Sequence, residues 1–361
     1  MNVPKLRFKE FNDEYAKLKY KDVLKIKSGK DQKQVEDENG KYPILGTGGQ
    51  IGKTNSFLYD KPSVLIGRKG TINKPQYMES PFWTVDTLFY SHIYEPNIPK
   101  YLFYAFQNVN WKKYDESTGV PSLSSSTIES VECSIPSPNE QIKVANFLSL
   151  LDKKIELQSK KIEDLKLFKL YTKNQIFKDY DEIFKLKDIL VKWNKKNKNN
   201  SVKYVESISN KYGFISQSDQ FEDRNVASKD LNNYYIIEKG VFGYNPSRLN
   251  VGSLALKTND KVSVVSPLYE CFTTSQNNQY LLEWFDSKYF RKETISKFEG
   301  GVRNTLNFSN LCEIEIGLPT IEKQNKYSKI FKIFNNKIEF EVKKLYKLQE
   351  LKKGLMQSIF V

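Results

Sequence analysis

Cysteine and histidine are almost missing from this chain. Three cysteines, Cys133, Cys271 and Cys312, and one histidine, His92, are spread over 361 residues. None forms a CxxC pair or a metal-ligand spacing, so a zinc ribbon, a disulfide framework and a multi-histidine metal centre are excluded. Each cysteine stands beside apolar residues and reads as a reduced core side chain. A Ser-His-Asp triad would rest on His92 alone, inside the strand-like run Phe89 to Tyr94, where a structural role is expected. Long apolar runs are missing too: no stretch approaches the roughly 18 residues of a membrane span, and Met1 to Phe11 alternates charged and apolar residues instead of forming a signal-peptide core. A soluble, cytoplasmic protein is expected. Arginine is scarce, six residues against 51 lysines.

What is present is positive charge, aromatic content and a repeat. The formal net charge is +14, with 39% hydrophobic and 14% aromatic residues, which describes a folded protein suited to a polyanionic partner, nucleic acid first. Lysine abundance alone is weak support, because Lys and Asn are enriched everywhere. The arginines are more informative: the guanidinium fork pairs bidentately with guanine or phosphate. Of Arg7, Arg68, Arg224, Arg248, Arg291 and Arg303, the glycine-rich or polar loops hold Arg68, Arg248 and Arg303.

Residues 128–177 align without a gap on residues 311–360, at an offset of 183 that is half the chain, with thirteen of fifty positions identical. Among these are Pro136/Pro319, Gln141/Gln324, Lys169/Lys352 and Phe177/Phe360. Such self-similarity marks a doubled architecture. Just upstream, Gly119-Val120 matches Gly301-Val302 after a one-residue shift, whereas the flanking blocks of about 140 residues match far less well. Inside the repeat the apolar residues step by three and four. Leu148, Leu151, Ile155, Ile162 and Leu165 form one seam, and Phe331, Phe334, Ile338, Leu345 and Leu348 the other. Gln158 and Lys169, and in the second copy Glu341 and Lys352, interrupt the two seams at matching places. Each segment predicts one helix of roughly 38 residues, about 57 Å long, and the shared polar interruptions predict that the two helices pack against each other. Two unrelated amphipathic helices, each on its own domain, are the simpler alternative.

Between the helices lie mixed α/β blocks. In the first, Ser63 to Ile66, Thr84 to Tyr90 and Val131 to Ile135 read as strands and Lys100 to Phe106 as a helix. In the second, Tyr234 to Glu238, Val262 to Val265 and Glu313 to Ile316 read as strands and Asn278 to Phe285 as a helix. The expected fold is α+β: two mixed α/β domains, residues 1–138 and 179–318, separated by long helices at 139–178 and 319–361 that pack on each other as a coiled coil, with an internal repeat.

Several catalytic motifs are approached and missed. Leu45 to Thr54 is rich in glycine and ends Gly52-Lys53-Thr54, but a P-loop needs glycine where Thr47 stands. That segment is better suited to bringing main-chain amides close to a DNA backbone. Tyr244-Asn245-Pro246-Ser247 lacks the second proline and the stacking aromatic of an amino-methyltransferase motif. No catalytic constellation emerges.

The unit Gly119-Val120-Pro121-Ser122-Leu123-Ser124, Ile128-Glu129, Ile135-Pro136, Glu140-Gln141 and the helix ending Gln175-Ile176-Phe177 resembles the conserved region of type I restriction-modification specificity subunits. Tyr42 to Gly49, Gly67-Arg68-Lys69-Gly70 and Thr84 to Tyr90 resemble a target-recognition domain of that family, and Tyr244 to Arg248, Gly252-Ser253 and Val264 to Tyr269 resemble another. The second copy of the repeat departs from the first at Val302-Arg303-Asn304. The resemblance implies a DNA-specificity subunit without catalysis of its own. Each block would read one half of a bipartite asymmetric site, and the two helices would form an antiparallel coiled coil that sets the spacing, the repeat being pseudo-twofold. Double-stranded DNA, two methyltransferase subunits using S-adenosylmethionine and two ATP- and Mg²⁺-dependent translocase-nuclease subunits would be its partners, with no cofactor in this chain. Candidate DNA contacts are Lys53, Thr54, Arg68, Lys69, Lys74 and Ser122 in the first block, and Arg224, Arg248, Asn250 and Arg303 in the second. A coiled-coil scaffold and a divergent fused nuclease or methyltransferase are the rival readings.

Overall fold

The computed structural model describes residues 3–210, 212–216, 230–295 and 305–360. The chain divides into two compact units: residues 1–160 with 342–361, and residues 161–341. The cuts fall inside the long helices, so each unit takes one mixed block and a stretch of both helices.

In the first unit β1 (Ala16–Lys19) and β2 (Leu24–Lys27) precede the hairpin β3 (Tyr42–Gly46) and β4 (Gly49–Thr54), then β5 (Ser63–Gly67), β6 (Gln76–Met78), β7 (Trp83–Thr84) and β8 (Leu88–Ile93). Helices α1 (Pro99–Asn108) and α2 (Ser125–Ser130), then β9 (Glu132–Ile135), lead into α3 (Pro138–Ile176). The main sheet runs β2-β8-β5-β6, and β4-β3-β7 forms a second one. β2 alternates buried Leu24 and Ile26 with exposed lysines, as a strand covered on one face does, while every residue of β5 is buried, as in a strand covered on both. β1 pairs antiparallel with β9, Ala16 opposite Ile135, tying the start of the block to the strand just before the long helix. Proline in its first turn starts α1, which buries Tyr101, Leu102, Tyr104, Ala105 and Phe106.

The single strand expected over Thr84 to Tyr90 is broken. Val85 N donates to Leu45 O at 3.1 Å and Leu88 N to Val85 O at 3.0 Å, so Val85 to Thr87 forms a turn between β7 and β8. The glycine-rich run over Leu45 to Thr54 is a hairpin closed by Thr47-Gly48, with Gly46 opposite Gly49. Gly49 has φ +113° there, a conformation that disfavours any side chain.

The second unit contains β10 (Glu182–Lys185), α4 (Leu186–Ile189), β11 (Leu190–Lys192), β12 (Glu206–Ser209), β13 (Gly213–Ser216), β14 (Tyr235–Ile237), β15 (Phe242–Tyr244), β16 (Leu254–Leu256), β17 (Ser263–Val265) and β18 (Glu270–Thr274). Helices α5 (Asn278–Phe285), α6 (Lys288–Ile295) and α7 (Phe308–Cys312), then β19 (Glu315–Leu318), lead into α8 (Ile321–Ile359). Its main sheet runs β11-β18-β15-β16. In both units the first strand of this sheet pairs with the last, and the last with the strand between. β10 pairs with β19 as β1 does with β9. The doubling therefore extends through the blocks, where the sequences match little.

Each long helix is continuous over 39 residues. Inside the second unit α3 and α8 run antiparallel: Lys161 Nζ lies 2.7 Å from Glu341 Oε1, and seven residues along the rings of Phe168 and Phe334 stand 5.5 Å apart. Among the seam residues, Leu148, Ile162 and Phe331 are buried, and Leu151, Ile155, Leu165, Phe334, Ile338, Leu345 and Leu348 are half-buried. Leu148 and Phe331 belong to the cores of their blocks, so the first seam position seats each block on its helix. Among the described residues no helix is long and apolar enough to cross a membrane.

Two identities of the repeat have a packing reason. Gln141 is 1% exposed; its Nε2 donates to Pro136 O at 3.0 Å and its Oε1 accepts from Ile98 N at 2.9 Å. Gln324, also 1% exposed, donates to Pro319 O at 2.9 Å and accepts from Asn277 N at 3.1 Å. One amide thus satisfies both the bend before each long helix and the entry to the short helix, α1 or α5, packed on it.

Candidate nucleic-acid interface

In the first unit several loops converge beyond the end of β5. Gly67-Arg68-Lys69-Gly70 is a tight turn. A Cβ on Gly67 would fall 2.4 Å from Thr71 O, and Gly70 has φ +84°. Arg68 N donates to Thr87 O at 2.8 Å, Leu123 N to Arg68 O at 2.9 Å and Gly70 N to Pro121 O at 2.8 Å, while Lys69 and Ser122 form a β-bridge. Gln76 Nε2 donates to Gly46 O at 2.8 Å, drawing in the hairpin turn. The break between β7 and β8 is what frees Thr87 O for this cluster.

The segment carrying Ser122 is held by two carboxylates. Asp115 Oδ1 accepts from Ser117 N at 3.0 Å, Ser117 Oγ at 2.9 Å and Ser122 N at 2.9 Å. These bonds, the backbone one from Ser122 foremost, hold its carboxyl below the usual aspartate range. Glu116 accepts from Thr127 and Ser124 side chains, with the same effect. The loop between is solvent-facing, and Val120 is 66% exposed.

Arg68, Lys69 and Lys74 are exposed and make no ion pair among the described residues. Arg7, by contrast, is held bidentately by Glu140 at 2.8 Å and 2.8 Å. Lys53 is exposed but lies at the far end of β4 from the hairpin turn, opposite Pro43. Thr54 is a correction: it is fully buried, and its hydroxyl accepts from Ser56 N at 3.0 Å, so its side chain is structural. A strand-end threonine cannot be told from a loop contact by sequence, because burial of a single polar side chain leaves no periodic signal. His92 lies on β8 with its Nδ1 3.1 Å from Tyr59 Oη.

In the second unit Arg248 lies in a 3-10 turn, Pro246–Val251, between β15 and β16. Asn245 caps it, Oδ1 accepting from Ser247 N at 3.0 Å, and Gly252 closes it at φ +88°. Arg248 is exposed and makes no ion pair among the described residues. Leu306 N donates to Pro246 O at 3.1 Å, and Leu306, like its repeat equivalent Leu123, is buried. Arg68 and Arg248 thus occupy the same connection of the same strand order, each tied to the segment that precedes the last short helix of its block. The two turns share no sequence motif. Arg224 and Arg303, and the side chain of Asn250, lie outside the described residues.

Residues 12–167 match the family described as type I restriction modification DNA specificity domain. The chain is 24% identical over 148 residues to the type I restriction enzyme EcoDI specificity subunit of Escherichia coli, a match covering 40% of this chain and 32%, about a third, of that protein. It is 24% identical over 295 residues to the MjaVIII specificity subunit of Methanocaldococcus jannaschii, covering 72% of this chain and 68% of that one. In structure it resembles the S subunit of a type I restriction-modification system from M. genitalium, with TM-score 0.66 and 16% identity over 99% of both chains. It also resembles a chain from a study of complex assembly and conformational transition of the type I R-M system, with TM-score 0.56 and 11% identity, covering 95% of this chain and 96% of that one.

Proposed function

We propose, from the premise that this chain is a type I restriction-modification specificity subunit, that its two blocks read the two unlike halves of one asymmetric duplex DNA site. The observation carrying this reading is the pair Arg68 and Arg248: exposed, without a carboxylate partner among the described residues, and on equivalent connections of two blocks whose surrounding sequences differ. Equivalent presentation by dissimilar loops is what reading two different half-sites requires. Lys69, Lys74 and Ser122 assist Arg68 at bases and phosphates, and Lys53, at the far end of β4, contacts the DNA apart from them; Arg224, Asn250 and Arg303 assist Arg248.

The domain division follows the same reading: residues 1–138 and 179–318 recognise DNA, and 139–178 and 319–361 are spacer helices. The helices fix the half-site separation and dock two methyltransferase subunits, which supply S-adenosylmethionine chemistry. Two restriction subunits bring ATP, Mg²⁺ and the nuclease, in the cytoplasm where the DNA is. No bond of the DNA is made or broken by this chain. Mapping methylated adenines in the source genome tests the reading. Two dissimilar half-sites at a fixed gap are expected; a single uninterrupted motif, or methyl transfer by this chain alone with S-adenosylmethionine, overturns it.

A further inference from the structure

Some glycines of the first unit have a reason inside the fold and some do not. A Cβ on Gly29, Gly40 or Gly67 would fall 2.0, 2.3 or 2.4 Å from backbone atoms, and Gly49 and Gly70 take positive φ. Gly354 on α8 shows neither, and nor do the loop residues Gly48 and Gly119: nothing lies within 4 Å of a Cβ built on any of them, and none of the three backbones is left-handed. The latter two stand on the loops gathered around Gly70, whose own Cβ would lie 4.0 Å from Thr47 Oγ1 and whose N–H bonds Pro121 O. Glycine costs backbone entropy, so its use where the fold leaves open space points to clearance for something outside the chain.

Val120 beside Gly119 is the second unexplained feature. It is 66% exposed, yet it is held on a segment closed by Asp115 at one end and bonded through Pro121 and Leu123 to the Arg68 turn at the other. The dipeptide recurs as Gly301-Val302 in the second copy of the repeat. Other identities of that repeat serve packing, as Gln141 and Gln324 do; an exposed valine does not. Its neighbours Thr118, Gly119 and Pro121 carry no charge; Lys112, Lys113, Arg68 and Lys69 flank the loop and are exposed, and the carboxylates between, Asp115 and Glu116, are engaged by Ser117, Ser122, Ser124 and Thr127.

Resting on the DNA-reading function above, we propose that Val120 reads a thymine methyl group in the major groove of the first block's half-site, with Gly119 and Gly48 marking where the duplex comes closest. A valine offers no hydrogen bond, so the feature of a base edge it distinguishes is the thymine C5 methyl. It is too short for the larger apolar wedges that unstack base steps. The flanking cations neutralise phosphates and fix the loop's depth.

The test uses the complex with its methyltransferase subunits and a duplex holding the mapped site, with each thymine in turn replaced by deoxyuridine. One position in the first block's half-site should cost the wild type about fourfold in affinity and cost Val120→Gly nothing. Gly119→Ala should leave the melting temperature unchanged and weaken specific binding at least tenfold. If wild type binds the site but no deoxyuridine position couples to Val120→Gly, or if Gly119→Ala binds normally, the inference fails while the DNA-reading function stands. If wild type shows no preference for the mapped site, that function fails first.

Discussion

Lys169 Nζ lies 2.8 Å from Glu283 Oε1 and 2.7 Å from Asn335 Oδ1, and Asn335 Nδ2 itself donates to Glu283 Oε1 at 3.0 Å. Lys352, its equivalent in the repeat, lies 2.6 Å from Asp152 Oδ1 in the first unit, and Tyr104 Oη donates to Asp152 Oδ2 at 2.8 Å. Tyr104 on α1 and Glu283 on α5 hold matching positions, each three residues after the tyrosine of the Tyr-Leu pair of its helix, Tyr101-Leu102 or Tyr280-Leu281. Asp152 and Asn335 match by the repeat. Each junction therefore pairs the repeat-equivalent lysine, Lys352 or Lys169, with a carboxylate, joined in the second unit by Lys173 at 3.3 Å from Glu283 Oε2, but the carboxylate has moved from the long helix in one unit to the short helix in the other.

Glu283 makes the second junction acid-sensitive. Burial pushes its carboxyl up, but Lys169, Lys173 and Asn335 outweigh that and hold it below the usual glutamate range. A folded-state pKa below the unfolded one gives stability that is present above the unfolded value, about 4.3, and is lost as pH falls through the folded value. Glu283→Gln should cost about 3 kcal/mol at neutral pH, and its deficit against wild type should shrink on acidification below that window. Urea denaturation across pH checks this; a deficit independent of pH would refute it.

The two buried glutamines should be equivalent. Gln141→Ala leaves Ile98 N and Pro136 O without partners, and Gln324→Ala does the same to Asn277 N and Pro319 O. Each should lose about 1–3 kcal/mol of stability, read as a shift in denaturation midpoint, with hydrogen exchange rising at the amide of Ile98 or Asn277.

Within the second block, Lys257 is fully buried and paired with Glu206, whose Oε2 also accepts from Ser263 Oγ at 2.5 Å. Removing one partner strands the other charge, so Lys257→Met should cost about 3–5 kcal/mol. Adding Glu206→Gln to that variant should recover part of the loss. A double-mutant cycle by chemical denaturation reads the coupling.

Arg68→Ala and Arg248→Ala should each weaken binding of the cognate duplex by about 1–3 kcal/mol and relax selectivity in a different half-site. Lys74→Ala should instead lower affinity for all sequences and reduce the salt slope by about one. Competition binding with half-site variants separates these outcomes. Uniform loss from Arg68→Ala would make it a phosphate contact.

The helices, the doubling and the excess of positive charge were legible in the sequence because each leaves a local trace. Steps of three and four residues write a helix seam directly into Leu148 to Leu165 and Phe331 to Leu348, and a repeat is visible as identity at one offset. Net charge needs no fold to be read. The short helix Asn278–Phe285 was equally legible, since one apolar face sufficed to define it.

Tertiary structure alone decided what the nonlocal contacts do. The common strand order of the two blocks is invisible in sequence because a sheet asks only for inward apolar residues, and many sequences supply them. For the same reason Arg68 and Arg248 were not recognisable as equivalents until β5 and β15 were seen in the same place. Thr54 stood among the candidate DNA contacts, and only packing showed it buried, as it shows Lys257 to be. Arg7 and Arg68 are alike as letters; a carboxylate 133 residues away from one of them makes the difference.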